Sequence, residues 1–365
     1  MNRCLLLLVT SACVWSAVDD VSSWQIGPFS RPTSEPVITP NRDSVFRNPI
    51  DGRTVHWEAL HTFNPAAVVR NGKIYVLYRA EDDTGEMRIG LHTSRIGLAE
   101  SEDGIHLRRL PQPVLYPDND SEKEREWPGG CEDPRIVESE DGTYVLTYTQ
   151  WNRRRTDAAI ATSKDLIHWT KHGPALGAAG KYSSLSYKSA GIVTRMARGR
   201  LIAAKIGGKY WMYWGEREVR LASSTDLIHW QVVEDSSGQP VVVLARRSRR
   251  FDSSFPETGP PPLVTENGIL VLYNGRNAAK DGDPSLDANS YTVGEALFAG
   301  DEPAKLVARS DHPVLQPRLA FEKSGQYAAG TTFGEGLVWF QNKWFLYYGC
   351  ADSMVGVATA EQPSR

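Results

Sequence analysis

A short phrase repeated at nearly constant spacing is the feature that most restricts how this chain can fold. Each copy begins with Ser, has Asp two residues later and His three residues after that. The copies are 101–106 (SEDGIH), 163–169 (SKDLIHW) and 224–230 (STDLIHW). Successive aspartates, at 103, 165 and 226, are 62 and then 61 residues apart. A repeat of this length indicates an architecture built from similar structural units.

A second phrase, a turn followed by an aromatic-rich segment, occurs five times. Apolar and aromatic residues alternate within it, and Gly or Asn stands at its start, which is typical of a β-strand entered from a tight turn. No stretch shows a long helical period. The copies lie at 72–78, 142–148, 208–214, 268–273 and 342–348.

Five units of roughly 60–75 residues, each long enough for four strands, predict an all-β fold, a five-bladed β-propeller. It would form a single domain over residues 25–362. A β-sandwich with chance similarity between hairpins is the alternative, but it does not account for whole phrases at fixed steps. The phrase containing His168 and the one containing His229 are interpreted as structural turns with a packing Trp. A propeller places its ligand site where the inner strands converge on the axis.

The first residues predict export. A positively charged start precedes an apolar run at 5–9 and a group of small residues, and the whole is too short to span a bilayer. Residues 1–17 are therefore predicted to be an export signal, cleaved before Cys13 as in a bacterial lipoprotein or else near Ala17. The expected location is the periplasm or the outer membrane of a bacterium. Contact with a membrane would be made only through a lipid on Cys13.

Composition limits the classes of partner. The 365 residues include 41 Lys and Arg against 44 Asp and Glu, a net charge of −3 that provides no basic field for nucleic acid. The 11 Trp and 14 Tyr favour strand packing and a sugar-like ligand. No zinc spacing, phosphate-binding loop or Gly-x-Ser-x-Gly motif occurs, and the acidic loop 281–287 lacks calcium-loop spacing, so we expect no metal and no cofactor. Cys131 and Cys350 are either a disulfide or two buried thiols.

Three acidic positions are candidate catalytic groups. Glu132 and Asp133 are adjacent, stiffened by a following Pro and succeeded by Arg135, a cluster that is costly to bury unless its members are paired or functional. Glu216 closes an aromatic strand, and Glu257 lies in a loop rich in Pro and Gly. Glycoside hydrolysis needs two carboxyl groups flanking the sugar bond, one protonated and one ionised. The set points to a glycosidase, although each acid alone also has a structural interpretation.

Five short motifs occur in order along the chain, namely Phe63-Asn64-Pro65, Tyr78-Arg79-Ala80-Glu81-Asp82, Glu132-Asp133-Pro134-Arg135, Gly259-Pro260-Pro261-Pro262 and Tyr347-Tyr348-Gly349-Cys350-Ala351-Asp352. They give the chain a resemblance to glycoside hydrolase family 130, the β-mannoside phosphorylases and β-mannosidases built on five-bladed propellers. The similarity extends from about Pro32 to Ala360. Longer blocks at 126–131, 148–153 and 331–336 are most similar to the exported β-1,2-mannosidase branch of bacterial glycan degraders.

The resemblance implies roles for individual residues. Asp133 would be the proton donor, acting through the 3-hydroxyl of the mannose. Asn64, Arg79 and Asp352 would hold the non-reducing-end mannose by hydrogen bonds. Arg135 would either bind substrate or orient the neighbouring acids.

The same resemblance separates hydrolysis from phosphorolysis. Phosphorylases of the family place His, Lys and Arg around the attacking phosphate, whereas Glu216 and Glu257 would repel that dianion and accept a proton from water. We therefore predict an exo-acting, inverting hydrolase that releases mannose from β-mannosides, most simply β-1,2-linked manno-oligosaccharides or mannan-derived glycans. Asp133 would be the acid, and the two Glu would activate water. The alternatives are a phosphorylase that makes mannose 1-phosphate and a propeller that only binds glycan.

Three further residues allow two interpretations each. Trp151 could stack on a sugar face or pack in the core of a blade. Lys188 and Lys205 could reach the axis, but a single Lys on a strand commonly belongs to a solvated face.

Overall fold

The computed structural model describes residues 23–361, and their secondary structure is almost entirely β. Within this range the helical elements are one turn of α-helix at Lys123–Glu126 (α1) and a 3-10 turn at Ala320–Glu322. A small hairpin of β1 (Phe46–Arg47) and β2 (Thr54–Val55) precedes the main body. The predicted all-β class is confirmed. The export signal predicted at residues 1–17 lies outside the described residues.

Five antiparallel meanders follow one another along the chain. The first consists of β3 (His61–Arg70), β4 (Lys73–Glu81), β5 (Ser94–Ser101) and β6 (Arg108–Arg109). The second consists of β7 (Gly130–Glu138), β8 (Tyr144–Trp151), β9 (Thr156–Ser163) and β10 (Thr170–Pro174). The third consists of β11 (Ala190–Ile192), a hairpin of β12 (Thr194–Ala197) and β13 (Arg200–Ala203), then β14 (Lys205–Ile206), β15 (Lys209–Trp214), β16 (Val219–Ser224), β17 (Gln231–Val232) and β18 (Val242–Leu244).

The last two meanders complete the described chain. The fourth consists of β19 (Phe255–Thr258), β20 (Leu263–Thr265), β21 (Gly268–Arg276), β22 (Tyr291–Phe298) and β23 (Leu306–Arg309). The fifth consists of β24 (Thr332–Phe340), β25 (Lys343–Cys350) and β26 (Met354–Glu361). The five aromatic phrases of the sequence each supply the central strand of a meander, namely β4, β8, β15, β21 and β25.

The Ser-x-Asp phrase forms the turn that follows β5, β9 or β16. In the middle copy, Asp165 Oδ1 accepts the backbone N–H of His168 at 2.8 Å, and the Trp169 indole N–H is donated to the carbonyl of Leu166 at 3.1 Å. The His168 side chain is 85% exposed. The phrase therefore has the structural role that the sequence predicted, a capped turn with an anchored Trp.

The apolar core is divided into five clusters, each shared by two meanders. One cluster combines residues of the first and second meanders. Three more clusters each combine two consecutive meanders: the second with the third, the third with the fourth, and the fourth with the fifth. The remaining cluster joins the fifth back to the first, because Tyr347 of β25 lies in it with Val76 and Tyr78 of β4. The meanders thus have a circular order of neighbours.

The N-terminal segment pairs with the last strand. Ser30 N donates to Thr359 O at 2.8 Å and Thr359 N donates back at 2.7 Å, while Val355 N donates to Ile38 O at 3.0 Å. These bonds cover the outer edge of β26 and hold the two ends of the described chain together. Cys131 and Cys350 are buried free thiols, which decides between the two alternatives left open by the sequence. In the described part of the chain, no helix is both long and apolar enough to cross a membrane.

Glu295 ties this N-terminal segment to β22. Its buried carboxyl accepts the Ile26 N–H and the Gln25 amide, each at 3.0 Å, and burial raises its pKa to about 8. An unfolded chain titrates Glu near 4.3, so the folded protein holds an extra proton from about pH 4 to about pH 8. Because the native state binds more protons in this window, stability falls as the pH rises through it.

We expect Glu295→Gln, which keeps a neutral hydrogen-bonding side chain, to remove part of this pH dependence. The contribution is roughly 1.4 kcal/mol of unfolding free energy per pH unit within the window. Melting temperatures from pH 5 to pH 8 would measure it, with exposed Glu302→Gln as the control. Equal slopes in wild type and Glu295→Gln would contradict the assignment.

Candidate active site

Bulges in three strands set the polar residues of the site. β3, β7 and β24 each interrupt their pairing with the next strand, at Asn64, at Asp133 with Pro134, and at Glu335. A bulge leaves a residue out of the ladder and redirects its side chain. Asn64 and Asp133 have φ of +46° and +45°, and Pro134 has no N–H to lose from the ladder. The three strands belong to different meanders, so their side chains meet only in the folded protein.

Asp133 lies at the centre of this cluster and is 2% exposed. Its Oδ1 accepts Asn64 Nδ2 at 2.8 Å and Arg79 Nη1 at 3.1 Å, and Lys188 Nζ is 4.0 Å from Oδ2. Burial alone would raise the pKa of this carboxyl. Arg79, Lys188 and the Asn64 hydrogen bond outweigh burial and lower the pKa of Asp133 to about 2. Asp133 is therefore ionised at neutral pH in the free protein.

Arg79 connects the acids on one side of the site. Its Nη2 lies 2.6 Å from Glu81 Oε1 and 2.8 Å from Glu132 Oε1, and its Nε donates to Ser94 Oγ at 3.1 Å. Burial raises the pKa of Glu132 to about 7, opposed by Arg79 and reinforced by the charge of Asp133. The adjacent acids Glu132 and Asp133 thus have pKa values shifted in opposite directions.

Lys188 connects the acids on the other side. Its Nζ lies 3.4 Å from Glu257 Oε1 and 3.6 Å from Glu216 Oε2. Glu216 and Glu257 are side by side in an antiparallel bridge, and Ser189 Oγ donates to Glu257 Oε1 at 2.6 Å. Burial would lower the pKa of Lys188, but Glu257, Glu216 and Asp133 hold it well above its usual range. Burial raises the pKa of Glu257, Lys188 opposes this shift and Glu216 adds to it.

Arg135 is enclosed by protein. Its Nε donates to Gly259 O and its Nη2 to Thr258 O, both at 2.7 Å, and Nη1 donates to Asp133 O at 3.2 Å. Nη2 is also 2.8 Å from Glu335 Oε1, and the Arg135 side chain is 1% exposed. Burial raises the pKa of Glu335 well above its usual range despite Arg135. The guanidinium is therefore committed to protein groups that surround Asp133.

Acids outnumber bases in this mostly buried cluster. Charged groups in such a site must be paired, and surplus carboxyls retain protons. Burial, for example, raises the pKa of Asp352 to about 7. The charge of Arg79 opposes this rise and the charge of Asp133 adds to it. The surplus also disfavours entry of another anion. The acids are Glu81, Glu132, Asp133, Glu216, Glu257, Glu335 and Asp352, against the bases Arg79, Arg135 and Lys188.

The remaining candidates are placed differently. Asp352 follows β25 with φ of +50°, and its carboxyl lies within electrostatic reach of Arg79 and Asp133. Trp151 closes β8, where its indole N–H is donated to Gly90 O at 2.9 Å. Among residues 23–361, no hydrogen bond joins Trp151 to the carboxylate cluster.

Sequence reasoning left one central residue open and overlooked two others. Lys188 lies among three carboxylates, whereas Lys205 is exposed on β14 with its ammonium 4.9 Å from the Tyr210 ring centre. Nothing in the sequence context of Ser189 marks it as a site residue. Glu335 was recognised only as part of a longer block, although glycines on both sides were a signal for a bulge.

An all-β body whose bulged strands bring carboxyls and cations to one buried point contains the closely spaced carboxyl groups that glycoside-processing enzymes use. The chain belongs to glycoside hydrolase family 130. The family model, described as beta-1,4-mannooligosaccharide phosphorylase, matches residues 34–363.

Relatives of both reaction types resemble this chain. The 1,2-beta-oligomannan phosphorylase of Thermoanaerobacter sp. (strain X514) is 32% identical over 337 residues, covering 91% of this chain and 97% of the relative. A glycosyl hydrolase structure from Bacteroides ovatus is 50% identical with a TM-score of 0.91, covering 94% of this chain and 96% of that one. A further solved structure has the description that the GH130 family of mannoside phosphorylases contains glycoside hydrolases that target beta-1,2 mannosidic linkages in Candida mannan. It is 49% identical with a TM-score of 0.91, covering 93% and 96% of the two chains.

Proposed function

We propose that the protein hydrolyses β-mannosides with inversion, releasing mannose from the end of β-1,2-linked manno-oligosaccharides or mannan-derived glycans. The observation that carries this proposal is the position of Lys188 between Asp133 and the pair Glu216 and Glu257. Lys188 Nζ is 4.0 Å from Asp133 Oδ2 and 3.4 Å from Glu257 Oε1, so these oxygens are at most 7.4 Å apart, the sum of the two distances. Inverting glycosidases separate acid and base by about 6.5–9.5 Å and retaining ones by about 5–5.5 Å. The limit is compatible with both separations, so the choice of inversion follows the resemblance to the family.

The proposed framework is a five-bladed propeller in which each meander is a blade. Three observations support it: the five shared core clusters, the cluster that joins the fifth meander to the first, and the pairing of the N-terminal segment with β26. The bulges in β3, β7 and β24 would then face the axis and meet at its centre. Burial of Asp133 and Glu257, at 2% and 1% exposed, suits a pocket that admits the end of a glycan chain.

Glu257 is proposed as the principal base, with Glu216 holding the same water. Ser189 and Lys188 fix the Glu257 carboxylate, whereas the Glu216 side chain is 39% exposed and lacks a comparable hydroxyl donor among the described residues. A base must be oriented toward the proton it accepts, so the better-held carboxylate suits the role.

The proton for the leaving group is proposed to come from the Glu132–Asp133 pair. Two interacting acids titrate as a unit, and this pair holds one proton between its pKa values of about 2 and about 7. In the free protein that proton resides on Glu132. Substrate hydroxyls that compete for Arg79 and Asn64 would weaken their hold on Asp133 and allow it to carry the proton.

The other candidate residues are proposed either to bind the substrate or to position the residues that do. Asn64, Arg79 and Asp352 surround Asp133 and are proposed to bind the terminal mannose. Arg135 is proposed to position Asp133 and the loop after β19 rather than to touch substrate, because protein carbonyls and Glu335 occupy its guanidinium. Trp151 is proposed to support the loop of Gly90 at the site's edge.

Phosphorolysis is the second candidate, favoured by the similarity to the phosphorylase of Thermoanaerobacter and by the ammonium of Lys188. A phosphate dianion beside Lys188 would, however, also lie beside Glu216 and Glu257, both within 3.6 Å of that ammonium. One cation does not offset two carboxylates and a dianion at such distances. The geometry therefore supports water as the nucleophile better than phosphate.

The test is to incubate the protein with β-1,2-mannobiose in phosphate-free buffer and in buffer containing phosphate. We expect free mannose at the same rate in both. Formation of mannose 1-phosphate that requires phosphate would establish the second candidate instead. The predicted export to the periplasm or outer membrane, with a lipid on Cys13, remains a proposal that mass spectrometry of the mature N-terminus would test.

We expect Lys188→Met to lower turnover and to change its pH dependence. Lys188 lowers the pKa of Glu257, so its removal lets that pKa rise and the base ionises only at higher pH. The acidic limb of the pH–rate profile should move to higher pH by about 1–3 pH units. Exposed Lys205→Met is the matched control. An unchanged limb in Lys188→Met would show that Glu257 is not the group that titrates.

A further inference from the structure

Two histidines and a glutamate form a cluster at the edge of the carboxylate site. The proposed reaction uses none of these three residues. His61 begins β3, Glu81 ends β4, and His92 lies just before β5. One potential ligand atom from each residue lies within 4.8 Å of those of the other two. Glu81 follows His61 by 20 residues and His92 follows Glu81 by 11, spacing that matches no metal-binding motif. The fold alone brings them together.

Hydrogen bonds through Nδ1 orient both imidazole rings. His92 Nδ1 lies 3.0 Å from the carbonyl oxygen of Thr84, and His61 Nδ1 lies 3.0 Å from Ser353 Oγ. A carbonyl only accepts, so Nδ1 of His92 is the donor in this contact, and Nε2 is the ring nitrogen left to face a ligand. Within residues 23–361, neither Nε2 is engaged in a hydrogen bond. Metal-binding histidines in proteins are commonly fixed in this way.

The third member is equally fixed. Glu81 is fully buried, and its Oε1 faces Arg79 Nη2 at 2.6 Å while its Oε2 accepts Gln326 Nε2 at 3.2 Å. His92 is 2% exposed, and His61 is partly exposed, which leaves a route from solvent.

The charges around the cluster also suit a cation. Arg79 contributes a positive charge beyond Glu81, but it is itself bound to Glu132 and Asp133. The carboxyl of Asp352 lies within electrostatic reach of Arg79 as well. The surroundings of Glu81 therefore contain more acid than base.

We propose that His61, Glu81 and His92 bind a divalent transition-metal ion of the Zn²⁺ type. Two imidazoles and one carboxylate are a typical ligand set for such ions, with positions left for water or another ligand. A tetrahedral Zn²⁺ with bonds of about 2.0–2.1 Å places its ligand atoms about 3.4 Å apart, so side-chain rotations would complete the site. The bound ion would fix Glu81 and, through it, Arg79.

The test uses the full protein without an affinity tag, first dialysed against a chelator and then titrated with ZnCl₂ in a calorimeter. We expect one Zn²⁺ per chain, and binding at least about 100-fold weaker in His61→Gln and in His92→Gln. The matched control is His106→Gln, which removes an exposed histidine that also lies beside an acid, Asp103. Zn²⁺ should raise the melting temperature of wild type and of the control but not of the two cluster variants.

Melting curves without metal would establish that the variants are folded. Wild type that binds no Zn²⁺ stoichiometrically would overturn the proposal. So would His61→Gln and His92→Gln variants that both bind Zn²⁺ as tightly as wild type. Neither result would bear on the proposed hydrolysis, because the titration does not measure activity.

Discussion

Asp133→Asn is expected to lower kcat on β-1,2-mannobiose by about 10²–10⁴-fold while substrate still binds. The substitution keeps the shape of the side chain and an oxygen for Arg79, but it removes the group that carries the proton. Asp133 receives hydrogen bonds from both Asn64 and Arg79, so an amide of the same size keeps the site assembled. Steady-state kinetics together with calorimetric binding of mannobiose would separate the two effects.

The leaving group provides a second check of this role. An aryl β-mannoside with an acidic phenol needs little protonation, so Asp133→Asn should lose much less activity on it than on mannobiose. Exposed Asp301→Asn is the control for loss of a carboxylate elsewhere. A loss of equal size on both substrates would argue that Asp133 binds substrate and does not supply the proton.

Glu257→Gln is expected to be the second large effect, with a fall in kcat of about 10²–10⁴-fold. Its carboxylate is held by Ser189 at 2.6 Å and lies 3.4 Å from Lys188 Nζ, so the loss of charge removes a fixed base. Glu216→Gln should cost less, because that side chain is more exposed and less constrained.

Azide offers a direct check of the base. As an anionic nucleophile that needs no deprotonation, it should restore turnover in Glu257→Gln and yield α-mannosyl azide. Azide should not rescue Asp133→Asn on mannobiose. Full activity in both Glu257→Gln and Glu216→Gln would show that neither residue is the base.

Much of the fold could be predicted because its information is local and repeated. Each aromatic phrase contains both the turn and the alternation that make a central strand, as in β4 and β25. In the turn after β9, Asp165 accepts the backbone N–H of His168, which lies only three residues later. The hairpin of β12 and β13 and the short β14 in the third meander were not foreseen. Their residues lack a repeated phrase, and the hairpin also pairs with β7 and β20, which belong to other meanders and lie far away in the sequence.

The candidate site was only partly predictable for the same reason. Asp133, Glu216 and Glu257 stood out because acids beside Pro, Gly or aromatic residues are unusual. The importance of Lys188 depends on acids from three other segments of the chain, which no local pattern reveals. The low pKa of Asp133 likewise arises from Arg79 and Lys188, which lie on other segments of the chain, so no local pattern reveals it.

The central claim is hydrolysis by inversion, and the anomeric form of the first product tests it most directly. Proton NMR during the first moments of β-1,2-mannobiose cleavage, with and without phosphate, would record that form before mutarotation. We predict α-mannose as the first new sugar from the non-reducing end, at a rate that does not depend on phosphate. Initial β-mannose, or mannose 1-phosphate formed only when phosphate is present, would contradict the account.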